Sequence, residues 1–208
     1  MRGKFITFEG CEGSGKSTQI RLLSERLKKE GICHIVTREP GGSDIAEQIR
    51  AIILNGKNTA MCDECEALLY AAARAQHLNE KVKPELEKGA LVLCDRFVDS
   101  SLAYQGYARG LGFDFIKEIN SFALKDFRPQ LTLFLNISPK AAFERKHGAD
   151  EGDRMEQLGL AFHRKVYEGY LKLSEMYPER IVKVECGGSK WDTAERIYGI
   201  LKERKIFD

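Results

Sequence analysis

The sequence predicts a three-layer α/β fold on a parallel five-stranded sheet, and three observations carry that expectation. Short apolar runs alternate with longer segments of helical periodicity from residue 4 to residue 202. One run, Ala90-Leu91-Val92-Leu93-Cys94, is apolar without a break, as a strand covered on both faces must be. A glycine-rich loop, Gly10 to Gly15, joins the first run to the first helical segment.

Taken in order, Lys4-Phe5-Ile6-Thr7-Phe8-Glu9 reads as a buried strand. After the glycine loop a helix opens at Lys16, carries Ile20, Leu23 and Leu27 on one side, and stops at Gly31. Residues 33–37 form a second strand, and Arg38-Glu39-Pro40-Gly41-Gly42 a loop, because proline and paired glycines break regular structure. Residues 44–54 are helical. Residues 63–88 form a long helical pattern, kinked before Pro84. The strand 90–94 ends at Asp95. A helix over 114–124 follows, then a strand over 130–136 and a helix with Pro139 in its first turn, where proline is tolerated. Residues 147–153 are short and polar. A long helix covers 155–176, a last strand 181–184 and a last helix 191–202. No repeat, linker or low-complexity tract interrupts the series, so the expected organisation is one domain over 1–208 with a short lid at about 145–154.

Composition narrows the function classes. Hydrophobic residues make up 43% and charged residues 31% of the 208, well outside the disordered range. A chain of this length buries roughly 70% of its unfolded surface and needs no disulfide or metal staple. Thirty-three Lys and Arg against 31 Asp and Glu leave +2, which is not the strongly basic balance of a duplex-DNA binder. No run approaches the ~18 apolar residues of a membrane span, and the N-terminus lacks a secretory signal pattern. The six cysteines lie without the dense spacing of a secreted framework, so the expected compartment is the cytoplasm. Cys62 and Cys65 form a CxxC pair with no second ligand pair for zinc. Asp63, Glu64 and Glu66 crowd acid around them, which opposes thiolate chemistry, and they read as two unmodified thiols.

Gly10-Cys11-Glu12-Gly13-Ser14-Gly15-Lys16-Ser17 matches GxxxxGK[ST] at every fixed position, between a strand and a helix. Glycines let successive backbone N–H groups close on phosphate oxygens, and the helix N-terminus adds about half a positive charge. Lys16 is expected on the β- and γ-phosphates and Ser17 on magnesium, with Thr18 next in the helix. Such a loop predicts a nucleoside triphosphate and leaves the reaction open, since motors, switches and kinases share it. The guanine-reading NKxD motif is absent.

Ligands of an open parallel sheet bind beyond the strand C-termini, and arginines stand there. Asp95, at the end of a buried strand, is placed to serve the magnesium shell, directly or through water, and Arg96 to fork onto a phosphate. Arg38 follows the second strand in the same way, which points to a second phosphate site facing the first.

Residues 10–17, Thr37-Arg38-Glu39-Pro40-Gly41-Gly42, Arg74-Ala75-Gln76-His77, Asp95-Arg96-Phe97 and Ser101-Leu102-Ala103-Tyr104-Gln105-Gly106 together resemble the thymidylate kinase family, in the family's order and spacing from about residue 4 to 170. The resemblance implies a P-loop nucleoside monophosphate kinase that converts thymidine monophosphate and ATP, with Mg2+, to thymidine diphosphate and ADP. It implies that Arg38 and Arg96 hold the acceptor phosphate, that Asp95 serves magnesium and the acceptor end, and that Glu12 contacts the deoxyribose 3′-hydroxyl. Tyr70, where phenylalanine is more usual, matches the ring that stacks on thymine, and Arg74 the residue that hydrogen-bonds it. Ser101 and Gln105 match polar positions around base and sugar, and Tyr104 the ring that disfavours a ribose 2′-hydroxyl. Tyr170 matches an active-site tyrosine of some relatives. Gln76 and His77 fit either a site role or simple capping and packing of their helix.

Residues 144–154 carry Glu144, Arg145, Lys146, His147, Asp153 and Arg154 around glycines. In nucleotide kinases such a lid keeps water from the γ-phosphate and brings in cations for the transition state. The variable loop positions here are Cys11, Glu12, Gly13 and Ser14, which excludes the branch of the family with a basic residue inside the loop. The resemblance is therefore to the bacterial type with a lid-borne arginine. Arg145 is expected on adenine, and Arg154 or Lys146 on phosphate, with Lys16, Asp95, Arg96 and Arg154 as the catalytic set. Partners are ATP and thymidine monophosphate, with no nucleic acid and no membrane. Some relatives are dimers, and Phe115, Ile119 and Phe122 fit either a dimer surface or the home core. The rival readings are a kinase of the same fold for another monophosphate or a nucleoside, and a non-enzymatic ATP switch.

Overall fold

The computed structural model describes residues 3–125, 127–145 and 154–207, apart from the side chains of 145 and 156. Five parallel strands, β1 (Lys4–Glu9), β2 (His34–Arg38), β3 (Leu91–Asp95), β4 (Leu131–Asn136) and β5 (Ile181–Glu185), run in the order β2-β3-β1-β4-β5. This is the expected α/β architecture, a P-loop NTPase fold. Each strand's pleat feeds both outer layers. Ile6 and Phe8, Leu91 and Leu93, and Leu131, Leu133 and Leu135 meet one face's helices, α1 (Lys16–Lys29) and α9 (Lys190–Glu203), through Ile20, Leu23, Leu27, Ile197 and Leu201. Phe5, Val92 and Cys94 point to the other face, where Leu78, Val82 and Leu86 cover them. Phe134 points the same way into a cluster with Tyr104, Val166, Tyr170 and Leu173. Each such aliphatic side chain taken from water contributes roughly 1.5–3 kcal/mol, so a strand apolar on both faces is stable only between two layers.

The helices on the second face are α2 (Asp44–Leu54), α3 (Asp63–His77), α4 (Lys83–Glu87), α5 (Val98–Ser101), α6 (Phe113–Leu124) and α8 (Gly159–Met176), while α7 (Pro139–Arg145) sets Ala142 into the first face's cluster. That face also carries a buried polar seam. Thr7 and Thr132 share a hydroxyl hydrogen bond of 2.8 Å, Thr132 donates to Asp99 at 3.0 Å, and Arg180 forks onto Asp99 at 2.5 and 2.8 Å. Every member has a partner, which is what keeps such a seam tolerable inside a core.

Two expected elements need correcting, and one stretch gains an element it lacked. The helix expected over 63–88 ends as α3 at His77, passes through a π-helical turn (Leu78–Val82), and resumes as α4. Pro84 has no N–H for the carbonyl four residues back, and the ladder before it widens, with the Lys83 N–H bonded to the Leu78 carbonyl. The stretch after Phe97, to which the sequence assigned no element, is helical: α5 runs straight into a second π-helical turn (Leu102–Ala108), where Arg109 N–H donates to the Tyr104 carbonyl at 2.9 Å. The helix expected from residue 155 begins as a 3₁₀ turn (Glu156–Leu158), and α8 starts only at Gly159, whose φ of 76° suits glycine. The second π-turn carries two of the side chains that line the cleft described next.

Candidate active site

Strand register sets the floor of the site. Phe8 and Arg38 both pair with Asp95, so Glu9, Arg38 and Asp95 end side by side at the carboxyl edge of the sheet. A cavity of about 490 Å³ opens there between the glycine loop, the end of β3, α3 and the second π-turn.

The loop of residues 10–17 wraps its own lysine. Lys16 Nζ donates to the carbonyls of Gly10 at 3.2 Å and Cys11 at 3.0 Å. Gly13 has φ 73°, and a Cβ there would sit 2.5 Å from the Ala142 carbonyl, so both conformation and space demand glycine. Gly15, in the left-handed region, caps α1 and leaves its first N–H groups free of any side-chain cap. Burial pulls the Lys16 ammonium below the ordinary lysine range, and Arg96 adds to the effect. The negative charge of an arriving polyphosphate would offset both effects, which is the electrostatic argument for this lysine as an anion seat. Cys11 is fully buried, and burial lifts its thiol to about 11, so it stays protonated and unreactive. Thr18 borders the cavity from α1. Ser17 Oγ donates to Asp95 Oδ2 at 3.0 Å. A hydroxyl and a carboxylate in contact at the mouth of the loop are hard oxygen donors, the set magnesium takes together with phosphate oxygens.

Arg96 stands beside the loop and shares the Gly10 carbonyl with Lys16. Its backbone sits at φ 67°, a costly conformation for a residue with a Cβ, secured by an N–H bond to the Phe8 carbonyl at 2.9 Å. One guanidinium nitrogen reaches the Gly10 carbonyl at 3.1 Å, Ser100 Oγ at 3.2 Å and Tyr170 Oη at 3.2 Å. The other is bound to the Glu12 carboxylate. Burial works against its charge, yet Tyr104, Glu12, Tyr170 and Asp95 hold the guanidinium well above the usual arginine range.

The carboxylate behind this arrangement is Glu9. It accepts the Phe97 N–H at 2.7 Å, Ser100 Oγ at 2.6 Å and Tyr170 Oη at 2.8 Å, fully buried. Burial, and then Asp99, push its carboxyl up to about 7. Sequence reasoning passed over Glu9, Ser100, Glu39 and Glu66 and gave Tyr170 little weight. The signal for Glu9 was present: it ends an apolar strand as Asp95 does.

The other candidates divide. Tyr70 borders the cavity, half-buried on α3. Arg74, one turn on and only 1% exposed, also borders it, with each guanidinium nitrogen already held: Nε on Glu39 at 2.8 Å, the others on Asn120 at 2.6 Å and Ser101 at 3.1 Å. His77 is buried against Thr37 at 2.7 Å and Glu39 at 2.9 Å, which settles it as packing and support for that carboxylate. Gln76 only bonds Glu80 on its own helix. Tyr104 and Gln105 line the cavity; the Tyr104 hydroxyl is buried with no partner among the described residues. Arg38 reaches Glu47 Oε1 and Oε2, both at 2.9 Å, in an exposed pair that is cheap to open for a ligand.

Two placements differ from expectation. Ser101, expected at the base and sugar, accepts from Arg74 behind the cavity wall, while Ser100 lines it. Arg154, expected on phosphate, donates to Glu66 at 2.5 Å and to the Ile53 carbonyl at 2.8 Å. A buried carboxylate needs cationic partners, and Arg154 is one of the two guanidiniums that Glu66 holds. Lys146 and the rest of the expected lid up to Asp153, like the Arg145 side chain, lie outside the described residues.

Among the described residues, no group of three or more His, Cys, Asp or Glu side chains is placed to hold a metal ion by itself, and no helix is long and apolar enough to cross a membrane. Cys62 and Cys65 are both free and exposed.

The family model for thymidylate kinase matches residues 8–197. The chain is 51% identical to the thymidylate kinase of Bacillus pumilus over 205 residues, covering 98% of this chain and 97% of that one. It is 49% identical to that of Clostridium novyi, covering 97% and 99%, and 53% identical to that of a Geobacillus species, covering 89% and 90%.

Proposed function

The chain belongs to the thymidylate kinase family, and on that footing we propose that its cleft is where ATP and thymidine monophosphate meet and become ADP and thymidine diphosphate. It is an ATP-dependent kinase whose product feeds deoxythymidine triphosphate synthesis. The observation that supports the site assignment is that one cavity is lined by Lys16 and Arg96 together. Residues 10–18 take the triphosphate, with Lys16 on its β- and γ-phosphates. Arg96 and Arg38 take the acceptor phosphate, Tyr70, Arg74 and Gln105 the base, and Glu12 and Tyr104 the sugar. Ser17 and Asp95 would hold magnesium, which when bound neutralises phosphate charge and orients the transferring group.

The acceptor is already mostly dianionic at neutral pH, since the second pKa of a phosphate monoester is about 6. No strong general base is needed, and no covalent intermediate. Arg96 holds the attacking oxygen in line, Lys16 draws off charge from the γ-phosphoryl group, and both stay fixed through the step. Arg145 on adenine and Arg154 on phosphate complete the set when the chain closes, the latter after leaving Glu66. We take the whole chain as one kinase domain working in the cytoplasm, which cysteines outside any disulfide suit.

The direct test is ADP release from ATP and magnesium with nucleoside monophosphates added singly. Strong stimulation by thymidine monophosphate is expected, with deoxyuridine monophosphate weaker. Stimulation by another monophosphate alone would overturn the base assignment.

The chain is also proposed to pair with a second copy through α2, α3 and α6. Ile45 and Ile52 on α2, Leu68 on α3 and Phe122 on α6 are exposed, the last at 80%. Of the expected stripe, Phe115 and Ile119 pack on the home core. Sedimentation at micromolar concentration is expected to give twice the chain mass; a monomer would sink the idea.

A further inference from the structure

Glu66 sits in the first turn of α3, fully buried, and does not border the cavity. Its carboxylate draws three side chains together. Arg109 donates to it at 2.9 Å, Arg154 at 2.5 Å, and the side-chain amide of Gln105 at 2.8 Å. The last contact has a consequence for the cavity. A carboxylate only accepts hydrogen bonds, so the amide must turn its –NH2 end to Glu66. The carbonyl Oε1 is left as the other end of Gln105. That residue lines the cavity, and Oε1 has no hydrogen-bond partner among the described residues.

Arg74, in the same lining, presents only donors. Its guanidinium has five N–H groups, and three contacts to Glu39, Asn120 and Ser101 leave some to spare. The wall therefore offers a donor and an acceptor in a set polarity. A thymine or uracil edge answers it, with the O4 acceptor beside the N3–H donor. A cytosine edge reverses both groups, placing an N4 amine before the guanidinium and the N3 lone pair before the carbonyl. Were the Gln105 amide free to turn over, it would serve either base.

We propose that Glu66 is a specificity-determining positioning residue: by locking the Gln105 amide with its carbonyl toward the cavity, it sets the pocket for the N3–H of thymine and uracil and against cytosine. The inference rests on the cavity being the thymidine monophosphate site. A buried site that must leave polar groups unpaired on the wrong ligand discriminates strongly, by up to about 10⁴-fold. Glu66 contributes by removing the alternative amide orientation, which a pocket with a free glutamine would retain.

The test compares kcat/KM for thymidine and deoxycytidine monophosphates in the wild type, Glu66→Gln and Arg109→Gln. A glutamine at 66 can donate to Oε1 as readily as accept from Nε2, so Gln105 regains both orientations. Glu66→Gln is expected to lower the thymidine-to-deoxycytidine ratio at least tenfold, mainly through the acceptor KM, with the KM for ATP unchanged. Arg109→Gln removes a partner of Glu66 but not the lock, and is expected to lower the melting temperature while keeping the ratio within twofold. Equal losses on both monophosphates in Glu66→Gln, or a ratio that falls as far in Arg109→Gln, would reduce Glu66 to an anchor for arginines and overturn the proposal. Should Glu66→Gln fail to fold, Glu66→Asp keeps the charge for both arginines while drawing the carboxylate back from Gln105, and its ratio is read the same way. A wild type that ignores thymidine monophosphate would instead remove the underlying site assignment, and the proposal with it.

Discussion

Replacing Arg96 by alanine is expected to lower kcat/KM for thymidine monophosphate by about 10²–10³-fold, or ~3–4 kcal/mol of transition-state stabilisation, while the KM for ATP changes by less than threefold. The asymmetry follows from where the side chain stands. Its guanidinium is anchored on the Gly10 carbonyl, Ser100 and Tyr170 and lines the cavity together with Lys16. A fork held in advance costs no reorganisation when charge moves onto the phosphoryl oxygens. Arg96→Lys keeps the charge but loses the fork, and is expected to recover only part of the loss. Removing Arg96 also takes from Glu12 the guanidinium bound to it, so unfolding must be measured alongside the kinetics. Equal losses for ATP and the acceptor in a folded variant would place Arg96 in the common structure of the cleft and not at the acceptor phosphate.

The second large effect is on stability and comes from Glu9. Its carboxyl titrates near 7 in the folded protein against an ordinary value of 4.5, with burial the first cause and Asp99 the second. Between those two values the folded state binds more protons than the unfolded chain, so stability falls as pH rises through that window. The stabilisation is fully present below about pH 4.5 and gone above about pH 7, amounting to about 3 kcal/mol. Glu9→Gln keeps an acceptor for the Phe97 N–H and a polar end for Ser100 and Tyr170 but cannot titrate. The difference in unfolding free energy between wild type and Glu9→Gln, followed by urea denaturation from pH 4 to 8, is therefore expected to move against the wild type by about that amount and then level off above pH 7. A flat difference across the window would mean that Glu9 is ionised throughout and that Arg96 offsets its burial. Glu9 belongs among the groups to consider for catalysis because the same contacts that bury it seat Arg96: Ser100 and Tyr170 each touch both side chains.

Much of this could be read before folding was considered. The glycine loop announces itself because its chemistry is local. Eight consecutive residues supply the backbone turns, the lysine and the magnesium hydroxyl, and the apolar run before them and the periodic segment after them name the strand and the helix. Sheet strands were legible for a similar reason, since a strand buried on both faces has no polar alternation to confuse. The two π-turns were not legible. Each is a widening of a hydrogen-bond ladder by one residue, which leaves periodicity almost unchanged, and one lies in a stretch containing Gly106. That stretch carries Tyr104 and Gln105, so the residues were named while the element that aims them was missed.

Roles that depend on partners far away in the chain separate most clearly. Spacing alone puts Tyr70, Arg74 and His77 on one side of a helix, but only the folded chain shows that His77 turns to Glu39 and Thr37 while Tyr70 faces the cavity. The chemical identity of the site, a triphosphate loop facing arginines at strand ends, is written in residue types and short-range order, because glycine conformations, strand patterning and helix starts are properties of a few neighbouring residues. Which arginine is free for phosphate, which carboxylate is neutralised and which amide is locked belong to the tertiary structure alone. Glu9 meets Tyr170 across 161 residues, Glu66 meets Arg154 across 88, and burial of those carboxylates gives each pairing its energetic weight.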